Sequence, residues 1–344
     1  MSETNNMINS HSLPECSICK SEGSLIYTKL NDRLFGTSGK WNIKKCNNKD
    51  CGQLWLDPMP NIEDIGKAYE NYYTHDAIAS NIIPFLRPFE KGYLALRFGY
   101  DENVSFLQKM AGLFIYLLPT EKAEIDYSVL YFSKKEIGKL LDIGCGNGSF
   151  ISRMKNLGWK VEGIDFDSKA VNYCNERGLD VKCGDLAQQN FENDCYDVIT
   201  INHVIEHVPD AGQLIEECYR ILKPGGCLVI ATPNTESWIH KTIFKENYFS
   251  LDPPRHLFLF NRKNLTTLFK RAGFKPKYVK TTIRNEFYVY AGSKHIKKTG
   301  YFKMGQEKLP KSTKLMGKFI QLLGWFIMPF NKDSGGEVVV KAYK

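Results

Sequence analysis

The stretch Leu140-Leu141-Asp142-Ile143-Gly144-Cys145-Gly146-Asn147-Gly148 constrains the fold more than any other part of the chain. Its Leu and Ile residues read as a buried strand that runs straight into a turn with glycine at every second position. Glycine accepts left-handed dihedrals and lets a backbone pass close to a ligand. The spacing is G-x-G-x-G, whereas the dinucleotide fingerprint is G-x-G-x-x-G, and position 149 is Ser. The tighter turn, with an acid two residues ahead of it, suits a ligand with a ribose and a charged amino-acid end better than a pyrophosphate.

From residue 138 onward the pattern alternates strand and helix, which predicts a parallel sheet covered by helices. Strands are expected near 139–143, 160–164, 180–183, 196–201, 226–232, 276–282 and 336–342. Helices are expected near 149–157, 168–177, 211–221 and 262–272, and Lys223-Pro224-Gly225-Gly226 reads as a turn ahead of the fifth strand. The second strand ends at Asp165, placed to accept from ribose hydroxyls, with Phe166 beside it to cover a purine. The third is followed by Asp185 and Leu186, suited to an adenine amine and ring. In such sheets ligands bind at the carboxyl ends of strands, so the two acids fit one adenosyl ligand.

With Tyr196-Asp197-Val198-Ile199-Thr200-Ile201-Asn202-His203-Val204-Ile205-Glu206-His207 and Leu222-Lys223-Pro224-Gly225-Gly226, these motifs resemble the class I S-adenosylmethionine (SAM) methyltransferases over about 138–293. The resemblance implies an α/β, Rossmann-like fold with a seven-stranded, mostly parallel sheet whose last strand is antiparallel. It implies that Gly144, Cys145, Gly146, Gly148, Asp165, Phe166, Asp185, Leu186 and Asn202 line the SAM pocket, with Asp142 supporting the turn. It also implies membership of a small-molecule branch similar to ubiquinone-type and sugar methyltransferases.

The acceptor is read from the next residues. Methylation of planar amines typically uses Asn/Asp-Pro-Pro-Tyr/Phe after the fourth strand; this chain has Asn202-His203-Val204. An oxygen acceptor is expected, with carbon second, and a histidine as base: His256, His207 or His203. His203 to His207 also matches H-x-x-E-H, a metalloprotease signature, but that motif needs a helix interior and here it follows a buried strand. Ubiquinone-pathway O-methyltransferases carry a similar Glu-His pair with a preceding Glu and are linked to a divalent cation; His203 stands in that acid's place. The segment Asp252-Pro253-Pro254-Arg255-His256 through Asn261 resembles an H-x-x-x-F-[ST] signature of small-molecule methyltransferases, including sugar C-methyltransferases. Those have Glu before the His, where this chain has Arg255, which is free by sequence to bind an acceptor phosphate or carboxylate. The whole pattern implies methyl transfer to a sugar or lipid-linked saccharide of a surface-polysaccharide or secondary-metabolite pathway. The alternatives are an RNA-modifying enzyme and a quinone-precursor O-methyltransferase.

Two extensions flank this core. Residues 13–60 hold Cys16, Cys19, Cys46 and Cys51 around weak strands, which is how a zinc ribbon builds a tetrahedral thiolate site, so a structural zinc ion is expected. Residues 61–135 read as an aromatic-rich helical extension or a lid, with the methyltransferase domain at 136–344 and an insert at 293–335. The region from Arg262 to Lys344 holds 19 Lys/Arg against 4 Asp/Glu, or +15, so the rest of the chain sums to −7 against the total of +8. The ribbon lacks a basic-aromatic strip, which disfavours nucleic acid. The lysines lead instead into the apolar run of 315–330, which suits either peripheral membrane contact through 305–330 or a helix burying its apolar side over the substrate pocket. No apolar run reaches the length of a membrane span, and no export signal is evident at Met1 to Ser12, so a cytoplasmic location with reduced cysteines is expected.

Overall fold

The structure is a computed structural model that describes residues 7–69, 86–304, 307 and 309–344. Tyr72, Tyr73, Phe85 and Lys308, which belong to the expected helical extension and basic insert, lie outside the described residues. Seven strands form the main sheet: β1 Lys139–Ile143, β2 Lys160–Asp165, β3 Val181–Cys183, β4 Tyr196–Asn202, β5 Leu222–Pro233, β6 Lys275–Thr282 and β7 Glu337–Tyr343. Their order is β6-β7-β5-β4-β1-β2-β3. The registers β1–β2, β1–β4 and β2–β3 are parallel. The expected mostly parallel sheet with an antiparallel last strand is therefore the one that forms. The aliphatic residues of β1, β4 and β5 are buried, as a sheet covered on both faces requires.

The helices follow their sequence signals. Asp167 caps Ser168–Asn175, its side chain accepting from the Lys169 N–H at 2.9 Å. Asn261 caps Arg262–Arg271 in a reciprocal box with Asn264. One expectation fails: Lys223 to Gly226 is not a turn but the first part of β5. Gly225 takes φ +78° there, a left-handed dihedral that bends the strand at this point, and the Gly226 carbonyl accepts from the Lys344 N–H at 3.0 Å.

The chain forms two compact units. One comprises Met1–Tyr73, His203–Glu216 and Ile230–Ala342; the other comprises Thr74–Asn202, Glu217–Val229 and Tyr343–Lys344. In the first unit, strands Gly23–Leu30, Trp41–Cys46 and Leu54–Leu56 form a sheet whose fourth member is Phe258–Leu259, 200 residues further along. The cysteine-bearing sheet is thus completed by the loop that carries His256. The same unit holds helices Glu286–Thr299 and Lys311–Ile327. In the second unit, Arg87–Phe98 and Phe106–Gly112 cross so closely at Gly92 that a Cβ there would sit 1.8 Å from the Gln108 carbonyl oxygen.

Candidate active site

In the second unit, Gly144, Gly146 and Gly148 all have positive φ, at 72°, 53° and 72°. An L-residue is strained in that region, which explains the three glycines. A Cβ on Gly148 would lie 2.7 Å from Cys174 Sγ and Leu179 Cδ1, whereas one on Gly146 would meet nothing within 4 Å. The turn therefore packs tightly on one side and leaves its Gly146 face open to a ligand. Asp165 Oδ2 accepts from the Gly146 N–H at 2.8 Å, and Oδ1 accepts from the Asp167 N–H at 2.9 Å, so the acid at the end of β2 is fixed against the turn. Phe166, the residue after Asp165, is exposed, while Leu186 is buried. Asp185 is exposed and accepts from the Gln188 N–H at 2.9 Å. Cys145 is buried. Asn202 accepts a hydrogen bond from the Tyr127 hydroxyl, a partner that nothing in the sequence indicated.

Asp142, two residues ahead of the turn, accepts from the Thr200 hydroxyl at 2.6 Å and ties β1 to β4. Burial pushes its pKa up to about 7, against the Thr200 hydrogen bond that lowers it. An acid whose folded pKa is raised holds its proton after the unfolded chain has lost it, so it costs stability as pH rises from about 4 to about 7. A shift of this size corresponds to about 4 kcal/mol. Asp142→Asn keeps an oxygen for Thr200 and removes the charge. The variant should be more stable than wild type at pH 8 by up to that amount and nearly equal at pH 4, as read by urea unfolding. An equal effect at both pH values would refute the charge argument.

In the first unit, three histidines surround the buried Glu206. His203 has φ 55°; its Nε2 lies 2.9 Å from Glu337 Oε1 and its Nδ1 3.4 Å from Glu206 Oε1. Burial would lower its pKa, but hydrogen bonds to the two carboxylates outweigh that and raise it to about 9. His203 is thus an imidazolium with both nitrogens engaged, and its expected role as a base does not hold. Burial would raise Glu206, but the His203 hydrogen bond and the neighbouring histidines hold it down at about 2, and Oε2 accepts from the Thr232 hydroxyl at 2.9 Å. Burial, with His256 beside it, pushes His207 down to about 4, so its ring is neutral.

A carbonyl oxygen can only accept, which sets the tautomers of the other two rings. His256 Nδ1 donates to the Ser250 carbonyl at 2.8 Å, and His207 Nδ1 donates to the Arg255 carbonyl at 3.0 Å, with the Tyr69 hydroxyl 2.9 Å from the same nitrogen. In the neutral ring of this tautomer the lone pair is on Nε2. His256 Nε2 is 4.0 Å from Glu206 Oε1 and from Asp252 Oδ2, and the two rings lie 4.7 Å apart, edge to face. One ligand atom each from Glu206, His207 and His256 falls within 4.8 Å of the others, close enough to hold a cation.

Arg255 does not face an acceptor. It is fully buried, and Nη1 and Nη2 each donate to Asp32 at 2.7 Å while Nε donates to Asp252 at 3.0 Å. The remaining donors go to Asp252 and to the Ala68 carbonyl, which uses all five N–H groups. Burial would raise Asp32, but this guanidinium holds it well below the usual carboxylate range. Arg255→Ala would strand two carboxylates and should cost about 3–5 kcal/mol in chemical unfolding. A loss below about 1 kcal/mol would show that water reaches them.

The four cysteines lie at two tight turns of the first unit, and all four Sγ atoms fall within 4.8 Å of one another. Cys16 and Cys51 are 3.6 Å apart and Cys19 and Cys46 are 3.3 Å apart, sulfur to sulfur. Helix Arg262–Arg271 holds both turns. Arg271 donates to the Ile18 carbonyl, and Asn261 and Asn264 donate to the Cys51 carbonyl at 2.8 and 3.2 Å.

Comparison with known proteins places this arrangement. A family model described as a methyltransferase domain matches residues 109–279. An S-adenosylmethionine-dependent methyltransferase of Mycolicibacterium smegmatis is 31% identical over 138 residues, 40% of this chain and 51% of that protein. A ubiquinone biosynthesis O-methyltransferase of Burkholderia orbicola is 35% identical over 103 residues, 28% of this chain and 44% of that protein. The chain spans about half the length of the curated relatives it matches. A solved SAM-dependent methyltransferase from Archaeoglobus fulgidus is 21% identical, covers 65% of this chain and 92% of its own, and has a TM-score of 0.45. The glycine turn, the acid at the end of β2 and the matched family model agree: the chain carries a class I SAM-dependent methyltransferase domain.

Proposed function

We propose that this protein moves the methyl group of SAM to an oxygen of a small molecule, a sugar or lipid-linked saccharide, with His256 as the base. The observation that carries the reading is the fixed tautomer of His256, whose Nδ1–H is held by Ser250 so that Nε2 can take a proton. As the acceptor hydroxyl attacks the methyl, the oxygen–carbon bond forms and the sulfur–carbon bond breaks. The hydroxyl proton goes to His256 Nε2, and the leaving group is neutral S-adenosylhomocysteine. Glu206 and Asp252, each 4.0 Å from that nitrogen, stabilise the imidazolium that results. His207 is the second base candidate, but burial pushes its pKa down to about 4, which makes it the weaker base. Support for a saccharide comes from the pairing of a cysteine unit with the His256 loop in sequence.

A second reading, a hydroxyl of a quinone precursor, is favoured by the ubiquinone-pathway relatives. S-adenosylhomocysteine release separates these readings when measured against sugar nucleotides, lipid-linked saccharides, dihydroxy aromatics and RNA. Release with saccharides alone supports the proposal. Release with aromatics alone moves it to the second reading, and release with RNA alone overturns both.

We infer further that Cys16, Cys19, Cys46 and Cys51 bind a structural zinc ion. A tetrahedron of about 2.3 Å zinc–sulfur bonds has edges of about 3.8 Å, and thiols at 3.3 and 3.6 Å need little movement to reach it.

A further inference from the structure

Helix Lys311–Ile327 is built the wrong way round for a helix that ends its burial in this chain. Its buried residues are Thr313, Gly317, Ile320, Gln321 and Gly324, mostly small or polar. The two glycines allow close approach, since a Cβ on Gly317 would lie 2.7 Å from the Phe287 carbonyl oxygen and one on Gly324 would lie 2.4 Å from Glu286 Oε2. The large apolar side chains point outward. Leu315 is 72% exposed, Phe319 59%, Phe326 57% and Phe330, just beyond the helix, 92%. At 100° per residue, Leu315, Phe319, Leu322 and Phe326 form one stripe opposite the buried face, with Met316 and Leu323 beside it. Lys311, Lys314 and Lys318 run along one edge of that stripe, all exposed, and Trp325 lies on the same edge.

We propose that this face docks on an anionic membrane surface. An apolar stripe edged with lysines matches the chemistry of a lipid interface: Phe and Leu enter the boundary of the acyl chains while lysine stems extend their charges to the headgroups. The +15 balance of residues 262–344 adds to the attraction. No helix among the described residues is long and apolar enough to cross a membrane, so the contact is in the plane of the interface. The proposal is independent of the acceptor and of the reaction.

The test is flotation of the full chain with vesicles of phosphatidylglycerol and phosphatidylcholine, beside vesicles of phosphatidylcholine alone. Wild type should float with the anionic vesicles and lose most of that binding near 1 M salt, where the screening length falls to about 3 Å. Phe319→Glu with Phe326→Glu should lower the bound fraction about tenfold or more while SAM binding stays unchanged. Leu315→Gln is a milder variant that should lower it in the same direction. Wild type that stays with the soluble fraction would overturn the proposal, as would equal binding by the double variant. A wild-type dimer that the double variant converts to a monomer, with no vesicle binding by either, would assign the face to a second copy of the chain instead.

Discussion

His256→Ala should lower the rate of methyl transfer by about 10²- to 10⁴-fold, the usual contribution of a positioned general base, and leave SAM affinity nearly unchanged. The two effects separate because the His256 side chain is held by the Ser250 carbonyl, whereas Asp165 is held by the Gly146 and Asp167 N–H groups. Turnover measured as S-adenosylhomocysteine release, beside SAM binding by calorimetry, makes the comparison. His256→Gln keeps a polar side chain but cannot take the proton, so it should be as slow as the alanine variant. Unchanged turnover in His256→Ala would remove the base role. A loss of SAM affinity matching the loss of turnover would assign the residue to structure. His203→Gln should behave differently: it removes the imidazolium between Glu206 and Glu337, so its main effect should be on stability.

The second large effect is expected from the cysteines. A strong chelator, or Cys46→Ser with Cys51→Ser, should unfold the sheet of Gly23–Leu30, Trp41–Cys46, Leu54–Leu56 and Phe258–Leu259 as a unit. Structural zinc contributes on the order of 10 kcal/mol or more in isolated zinc-finger peptides, far above what so small a sheet stores in its own core. The expected readout is one zinc per chain by elemental analysis and a melting temperature that drops on chelation and recovers with added zinc. A metal-free protein with an unchanged melting temperature would refute the assignment.

Much of this architecture was legible in the chain. The seven strands and four of the helices lie within a few residues of where hydrophobic pattern and caps placed them, because a sheet buried on both faces writes near-continuous apolar runs. The glycine turn was legible because glycine meets three positive φ angles in five residues without strain. What failed was pairing across long sequence separations. Arg255 looked available to a substrate because Asp32, its main partner, stands 223 residues away. Tyr127 and Tyr69 carry no local mark of their links to Asn202 and His207. His203 read as a base because sequence cannot show that two carboxylates, one of them Glu337, close on its ring. The C-terminal helix was legible as amphipathic but not in its orientation. Its signal was the spacing of Thr313, Gly317, Gln321 and Gly324, small or polar residues at intervals of three and four that mark a close helix contact.

Phe258–Leu259 is only two residues long, yet it belongs to the cysteine-bearing sheet and begins two residues after His256. Between them, the Leu257 carbonyl accepts from the Leu56 N–H at 3.0 Å and the Leu257 N–H donates to the Glu206 carbonyl at 2.8 Å. A single residue, Leu257, thus ties the segment after the proposed base both to Glu206 and to the cysteine-bearing sheet. On the roles proposed for His256 and the four cysteines, loss of the metal would therefore reach proton transfer through the backbone, while the contacts that hold Asp165 against the glycine turn would stay in place.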